Sequence, residues 1–416
     1  MIMPERKTIY VFSNGCPESR IDLARMQGFF ERNGWDETAD IGEADLVLFN
    51  ACAGTQDGED SSIAIIGQMK TAMNPAGRLI VAGCLPKINL ARLRTVYDGP
   101  TFGSDEVGKL NDLFTSRVKA EDIHANRLTE RTPYVSLSKW VRGNLKKRGP
   151  FGAVVKVLEV VYDKLNPGTN AFAPETHCIK VSTGCLGNCA YCGIRFSRGS
   201  VVSKPIEGVL KEFDEGLAQG RRDFSLIGTD LGCYGRDRGY DLVALLREMV
   251  RREGDYAIRL RNVKPNFLLE MLPGLEKIFA SGRISFLSSA VEAGSDRVVA
   301  LMNRRYTIEE YKRAIGTVHR KYPWIITRTQ IVVGFPTESK AEFRETMKLV
   351  AELRFDFVEA FMFQSRPMTV AAALEGQVSE GVKRRRDIRL LALLIRLSFG
   401  NPRKRLRRTR PTPAGA

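Results

Sequence analysis

The chain has 416 residues, 43% hydrophobic and 27% charged, the composition of an ordinary globular protein large enough for two or three domains. No run approaches the roughly 18 apolar residues of a membrane span, and the opening "MIMPERKTIYVFSNG" lacks the apolar core of a signal peptide. The expected setting is the cytoplasm, where thiols stay reduced and eight cysteines point to metal binding or catalysis before disulfides.

The net charge of +16 is unevenly spread. Twelve lysines and arginines against one acid, Asp387, fall between Lys383 and Arg410, so eleven of the sixteen charges sit there. A smaller cluster, "KWVRGNLKKRG" (Lys139 to Gly149), adds five more with no acid. Such local basic charge suits a phosphate-bearing partner, although charge runs are also often solvated ends.

In chain order, residues 1–114 alternate strand and helix signals. "TIYVFSNG", "ADLVLFNACAG" and "RLIVAGCLP" read as strands, each followed by helical sequence, which predicts a doubly wound parallel sheet. Each run ends in one cysteine: Cys16, Cys52 and Cys84. Ligands of such sheets gather beyond the carboxyl ends of the strands, so the three are expected to converge on one site. Residues 115–172 carry the basic cluster and turn-rich sequence and read as a linker region with some helix.

From 173 to 399 a second series follows, with strands at "HCIKVST", "DFSLIGTD", "AIRLRNVKP", "ISFLSSAVEAGSD", "ITRTQIVVGFP" and "FVEAFMFQSRP". Six such units predict a partial (β/α) barrel with function at the carboxyl ends of its strands. A closing helix is expected over about Val378 to Phe399, its basic sequence "RRRDIRLLALLIRL" either packing on the barrel with the arginines outward or lying on a membrane surface, the first being favoured. Residues 400–416 form a basic tail expected to be disordered.

After the first barrel strand comes "VSTGCLGNCAYCGIRFSRG", with Cys185, Cys189 and Cys192. A zinc site wants four ligands, and the three histidines offer no matching second half nearby. A redox pair in "CAYC" leaves Cys185 unexplained. A [4Fe–4S] cluster on three thiolates leaves one iron open to a small molecule, and this reading suits the spacing best. Of the remaining cysteines, Cys178 alternates into the core and Cys233 lies near the barrel mouth, with a structural role favoured for both.

The triplet at the head of a six-unit barrel resembles the radical S-adenosylmethionine (SAM) enzymes. Together with "SNGC", "NAC", "AGCLP", "GTDLGCYGRD", "AGSDRVVALMNRRYT", "VGFPTES" and "SRPMTVAA", it is similar to the methylthiotransferases of tRNA and protein, over nearly all of Tyr10 to Arg396 apart from the linker. The resemblance implies two [4Fe–4S] clusters, one on Cys185, Cys189 and Cys192 with SAM at its open iron, and one on Cys16, Cys52 and Cys84 that handles sulfur. One SAM would supply the methyl group and a second the 5′-deoxyadenosyl radical that removes hydrogen from an unactivated carbon. It places Gly228, Thr229 and Asp230 near the SAM amine, and Glu292, Ser295, Gly334 and Glu338 along the SAM pocket; their plain alternative is the tight turns and loop acids of any such barrel. Tyr191, between two ligands, is expected to serve by its backbone. An electron donor of flavodoxin or ferredoxin type is implied, and a monomer is expected.

"STGC" and "DLGCYGRD" look most like the branch acting on N6-threonylcarbamoyladenosine in tRNA, with a protein or ribosomally made peptide as the alternative substrate. Three motifs depart from the family pattern beside the pocket: Glu292 stands for glutamine, Gln330 for aspartate, and Met368 and Val370 for glycine and proline. Family members that act on tRNA or ribosomal protein usually end in a small TRAM barrel. The 17 residues Gly400 to Ala416 show no strand alternation and are not expected to form one.

Overall fold

The computed structural model describes residues 7–128, 157–166 and 175–399. The basic cluster Lys139 to Gly149 and the tail 400–416 lie outside the described residues. The first sheet holds β1 (Thr8–Ser13), β2 (Asp36–Glu37), β3 (Leu46–Ala51), β4 (Arg78–Gly83) and β5 (Thr101–Gly103), in the order β2-β1-β3-β4-β5 with every neighbour parallel. β3 is buried throughout because helices cover both faces of the sheet, which is why its sequence runs apolar instead of alternating. On one face Val47, Phe49 and Val81 pack with Ile65, Ile66 and Met69 of α2 (Gln56–Ala72). On the other, Leu46, Leu48 and Ile80 meet Leu23, Met26, Phe29 and Phe30 of α1 (Pro17–Arg32). β2 and β5, two and three residues long, are too short to register as strands in the sequence.

The linker expected from 115 begins as part of this domain. Ala120 and Ile123 are buried in its core, Arg25 Nε donates to the Ile123 carbonyl at 3.0 Å, and Asn33 accepts from the amides of Arg117 and Val118. These anchors are single residues without periodicity, so nothing in the pattern announced them.

The second sheet holds β6 (His177–Lys180), β9 (Asp223–Ile227), β10 (Ala257–Leu260), β11 (Ile284–Ser288), β12 (Ile326–Val333) and β13 (Phe357–Met362), all parallel in the order β13-β12-β11-β10-β9-β6. Its outer face is covered by helices such as Pro265–Phe279, Ile308–Lys321 and Lys340–Leu353; the last two open on Thr307 and Ser339 capping boxes. Helix Glu380–Phe399 closes the barrel with Leu390, Leu391 and Leu394 buried in the same core. Its arginines do not all face outward as expected: Arg386 turns in and donates to Glu338 Oε2 at 2.6 Å, because that carboxylate is buried behind the turn at Gly334 and needs a cation. No helix of the described residues is long and apolar enough to cross a membrane.

α1 joins the two sheets. Its Ile21 packs on Cys178 of β6 and Ile227 of β9, away from the face that fills the first domain. Cys178 is thus a core residue, as its alternation implied, but of the joint between domains.

Candidate active site

The cysteine triplet of the barrel lies on a loop closed at its base by the antiparallel pair β7 (Ser182–Thr183) and β8 (Val202–Ser203). Gly184 turns the chain into that loop at φ +80°, and a Cβ there would lie 2.0 Å from the Ser200 carbonyl oxygen, so the turn requires glycine. Cys185 Sγ accepts from Lys264 Nζ at 2.9 Å and from the Gly187 amide at 3.0 Å. A hydrogen bond with the Cys233 thiol, opposed by burial and helped by the Lys264 charge, pulls the Cys185 thiol down to about 6. The same contact, with burial, pushes Cys233 up, and the Cys233 thiol donates to Asp230 Oδ2 at 3.3 Å. Burial raises Cys192. Cys189 and Cys192 line a cavity of about 250 Å³ with Arg195, Met368, Thr369 and Val370.

The second set stands where the strand pattern put it. Cys16 N-caps α1 after β1, while Cys52 and Cys84 immediately follow β3 and β4, with β3 lying between β1 and β4 in the sheet. The Cys52 backbone is clamped on both sides: its amide donates to Asn14 Oδ1 at 2.9 Å and its carbonyl accepts from Ser62 Oγ at 2.7 Å. Burial raises the Cys16 thiol, with Arg198 pulling the other way.

Arg198 comes from the barrel. It ends the short helix Ile194–Arg198 that follows the triplet, is 2% exposed, pairs with Asp22, lies 3.4 Å from Glu18, and donates to Ser19 Oγ at 3.2 Å. Lys180 Nζ reaches the same Asp22 at 2.5 Å. Burial would raise Asp22, but the two cations outweigh it and hold its carboxyl down to about 2. A buried charge network thus fixes the second cysteine site against the loop of the first.

The residues expected near SAM are differently engaged. Thr229 Oγ1 sits in the joint, donating to Glu18 at 3.0 Å and accepting from the Gly184 amide at 3.1 Å. Asp230 is fully buried; it caps Leu231–Cys233 through the Gly232 amide, accepts from the Lys264 amide at 3.2 Å, and lies 3.3 Å from Cys233 Sγ. Gly228 packs beside Ser182, where a Cβ would come 2.8 Å from the hydroxyl. Glu292, at φ +67°, pairs with buried Arg304 and accepts from Tyr191 Oη at 2.8 Å. The Tyr191 side chain is thus tied in as well as its backbone, its hydroxyl lying between Glu292 and Arg304. Ser295 caps helix Asp296–Leu301 and bonds Glu342, and Glu338 accepts from the Gly334 amide at 2.8 Å. The structure brings Thr229 and Asp230 to the Cys185 loop and links Glu292 to Tyr191 there, whereas the bonds of Ser295 and Glu338 go to Glu342 and Arg386. Lys264, Arg198, Ser197, Asn14 and Arg304 were not foreseen. Lys264 and Ser197 do sit where a reader could look, after a barrel strand and just past the triplet.

Among the described residues, the one group of three ligand atoms within 4.8 Å of one another is Cys185, Asp230 and Cys233, and not either expected triplet. Three thiolates that each bind a different iron need not stand as close as the ligands of a single ion. The donor chemistry fits such clusters: each site offers three sulfurs, and the barrel site has Cys185 shifted toward thiolate and an open cavity beside Cys189 and Cys192.

The radical SAM superfamily matches residues 179–350, and the uncharacterized protein family UPF0004 matches residues 8–99. The chain is 28% identical over 365 residues to the probable threonylcarbamoyladenosine tRNA methylthiotransferase of Pyrococcus abyssi, covering 88% of this chain and 78% of that one. It is 28% identical to the tRNA-2-methylthio-N(6)-dimethylallyladenosine synthase of Thermodesulfovibrio yellowstonii, covering 93% and 83%. It is also 28% identical to the ribosomal protein uS12 methylthiotransferase RimO of Pelobacter propionicus, covering 96% and 84%. Among solved structures, the radical SAM methyltransferase TsrM of Kitasatospora setae shares the fold, with a TM-score of 0.56 at 13% identity over 88% of this chain and 75% of that one. With residues 8–99 and 179–350 both matched, the chain belongs to the radical SAM methylthiotransferase family, whose enzymes use SAM and two [4Fe–4S] clusters.

Proposed function

We propose that this enzyme inserts a methylthio group at an unactivated C–H bond of N6-threonylcarbamoyladenosine in tRNA, with Cys185, Cys189 and Cys192 holding the radical-generating cluster and Cys16, Cys52 and Cys84 the sulfur-handling one. The observation that carries the two-cluster reading is the joint: two three-cysteine sites, on separate domains, fixed against each other by Arg198 and Asp22. The bound clusters and SAM supply the one-electron chemistry that opens the C–H bond. The chain's own part at the barrel site is to keep Cys185 deprotonated through Lys264, Gly187 and Cys233, and to neutralise Glu292 with Arg304.

For the substrate, the support is the barrel interior. Ile258, Leu260 and Leu287 turn to the helices, which leaves Arg259 and Arg261 on the opposite face, both against Phe286. Arg328 joins them, bonded to Ser288 and paired with Glu359, which also accepts from Gln330 at 2.8 Å. A charged, hydrogen-bonding interior suits a threonylcarbamoyl group, which carries a carboxylate, better than a dimethylallyl group, which would desolvate these side chains without replacing their bonds. The P. abyssi relative, named for threonylcarbamoyladenosine, points the same way. The test is mass spectrometry of nucleosides from total tRNA of a host lacking the chain and one expressing it. A methylthio adduct of threonylcarbamoyladenosine that appears only with the chain is the expected result. Unchanged tRNA would overturn the substrate and direct the search to a polypeptide.

A further inference from the structure

The helix Ile194–Arg198 belongs by sequence to the loop of the barrel triplet, since it starts two residues after Cys192. Its far end belongs by contact to the other site. Ser197 is fully buried, and its Oγ donates to Cys84 Sγ at 3.3 Å. The next residue, Arg198, is anchored on Glu18 and Asp22 of α1 and reaches Ser19, whose hydroxyl lies 3.7 Å from Cys16 Sγ. The packing beneath is equally close: a Cβ on Gly54 would touch Ile194 at 3.5 Å, and one on Gly193 would touch Ile88 of α3 (Leu85–Ile88), the turn that follows Cys84, at 3.7 Å.

We propose that Ser197 is a positioning residue of the second cluster, supplied by the other domain, whose hydroxyl proton hydrogen-bonds the Cys84 thiolate and raises the reduction potential of the cluster that Cys84 helps to hold. This rests on the assignment of Cys16, Cys52 and Cys84 to that cluster. A thiolate on iron carries negative charge that grows on reduction, so a donor to the sulfur favours the reduced form and raises the potential. The hydroxyl has one proton and two acceptors within reach, Cys84 Sγ and the Ile194 carbonyl at 3.1 Å. The charged sulfur is the stronger acceptor. Arg198 holds the helix end so that the hydroxyl cannot swing away.

The experiment uses the full chain carrying Cys185→Ala, Cys189→Ala and Cys192→Ala, reconstituted anaerobically, so that only the second cluster gives a signal. Iron and sulfide content tests the assignment, and an EPR-monitored redox titration tests the hydrogen bond. Adding Ser197→Ala is expected to lower the midpoint potential at unchanged iron content and to remove one exchangeable-proton coupling seen by electron–nuclear double resonance in deuterated buffer. Ser197→Thr, which keeps the hydroxyl, is expected to restore both. A potential and coupling unmoved by Ser197→Ala would overturn the proposal, and so would a Ser197→Thr variant that behaves like the alanine one. If the parent chain assembled no cluster at all, the assignment of the three cysteines would fall, and the proposal with it.

Discussion

The two cysteine sets are assembled by opposite routes. The barrel site is local: its three cysteines sit within eight residues of one loop, and its electrostatics come from two neighbouring strand ends, with Lys264 and Cys233 drawing Cys185 down to about 6. The other site is global, assembled from three strand ends 36 and 32 residues apart, with Cys16 raised by burial and a compensating arginine borrowed from the next domain. A local site brings its three sulfurs onto one loop as soon as that loop closes. A global site depends on the register of β1, β3 and β4 and on the docking of the barrel, so its assembly reports on the whole fold.

The sharpest way to break this comparison is to remove one ligand from each side. Cys185→Ala is expected to reduce 5′-deoxyadenosine formation to background, while Cys52→Ala should leave it intact and abolish the methylthio product. Chromatography of 5′-deoxyadenosine alongside mass spectrometry of the product reads both. Loss of 5′-deoxyadenosine in Cys52→Ala would show that the sites are not separate in function.

The next largest effect lies in the joint. Arg198→Met leaves Asp22 buried with Lys180 as its one remaining close cation, and removing a partner from a buried pair costs on the order of 3–5 kcal/mol. Urea unfolding of the chain should show a loss near the lower end of that range. The pH dependence follows from the same carboxyl. Its folded value, about 2, lies below its ordinary 3.8, so its stabilising contribution stands above about pH 4 and fades as the pH falls toward 2. The variant should lose stability over that acid range less steeply than the parent.

These two experiments also mark what the sequence could disclose. The longer strands, their parallel sense and the placement of the six cysteines after strands follow from apolar runs and spacing, because each is a property of neighbouring residues. Arg198 in "FSRG" and Asp22 in "RIDLAR" look like ordinary surface charges on amphipathic segments, and nothing local says that 176 residues apart they form one buried pair. The same holds for Tyr191 and Glu292: one lies between two cysteines of the triplet and the resemblance set the other along the pocket, but Arg304, which joins them, is set by how helix Asp296–Leu301 returns to the sheet. Pairing across domains is tertiary information. Residues 115–128 failed for the reverse reason, since they are held by isolated anchors with no period to detect.

A smaller effect tests the electrostatics of the local site. In the cluster-free chain, Lys264→Met should move the Cys185 thiol from about 6 toward its ordinary 9, because a cation 2.9 Å from the sulfur is lost. The thiolate fraction at pH 7 would drop, and alkylation of Cys185 by iodoacetamide, followed by peptide mass spectrometry, should slow by about two- to threefold, the Cys233 contact remaining. Unchanged alkylation would assign the shift to Cys233 alone.

The smallest effect sharpens the comparison from the other side. Gly58 lies in the first turn of α2, and a Cβ there would stand 3.0 Å from Cys52 Sγ and 3.1 Å from Thr55 Oγ1. Gly58→Ala gains about 1 kcal/mol of helix propensity, offset in the cluster-free chain by a few tenths of an ångström of displacement at the sulfur. Net stability should therefore change by less than about 1 kcal/mol. The sulfur, however, belongs to a site whose members come from three strands and cannot shift together. Iron content of the second cluster should fall while the barrel cluster, tested with Cys16, Cys52 and Cys84 intact and again with them replaced, loads as before. A glycine kept for the space around one sulfur, at the expense of helix stability, is what a globally assembled site demands and a self-contained loop does not.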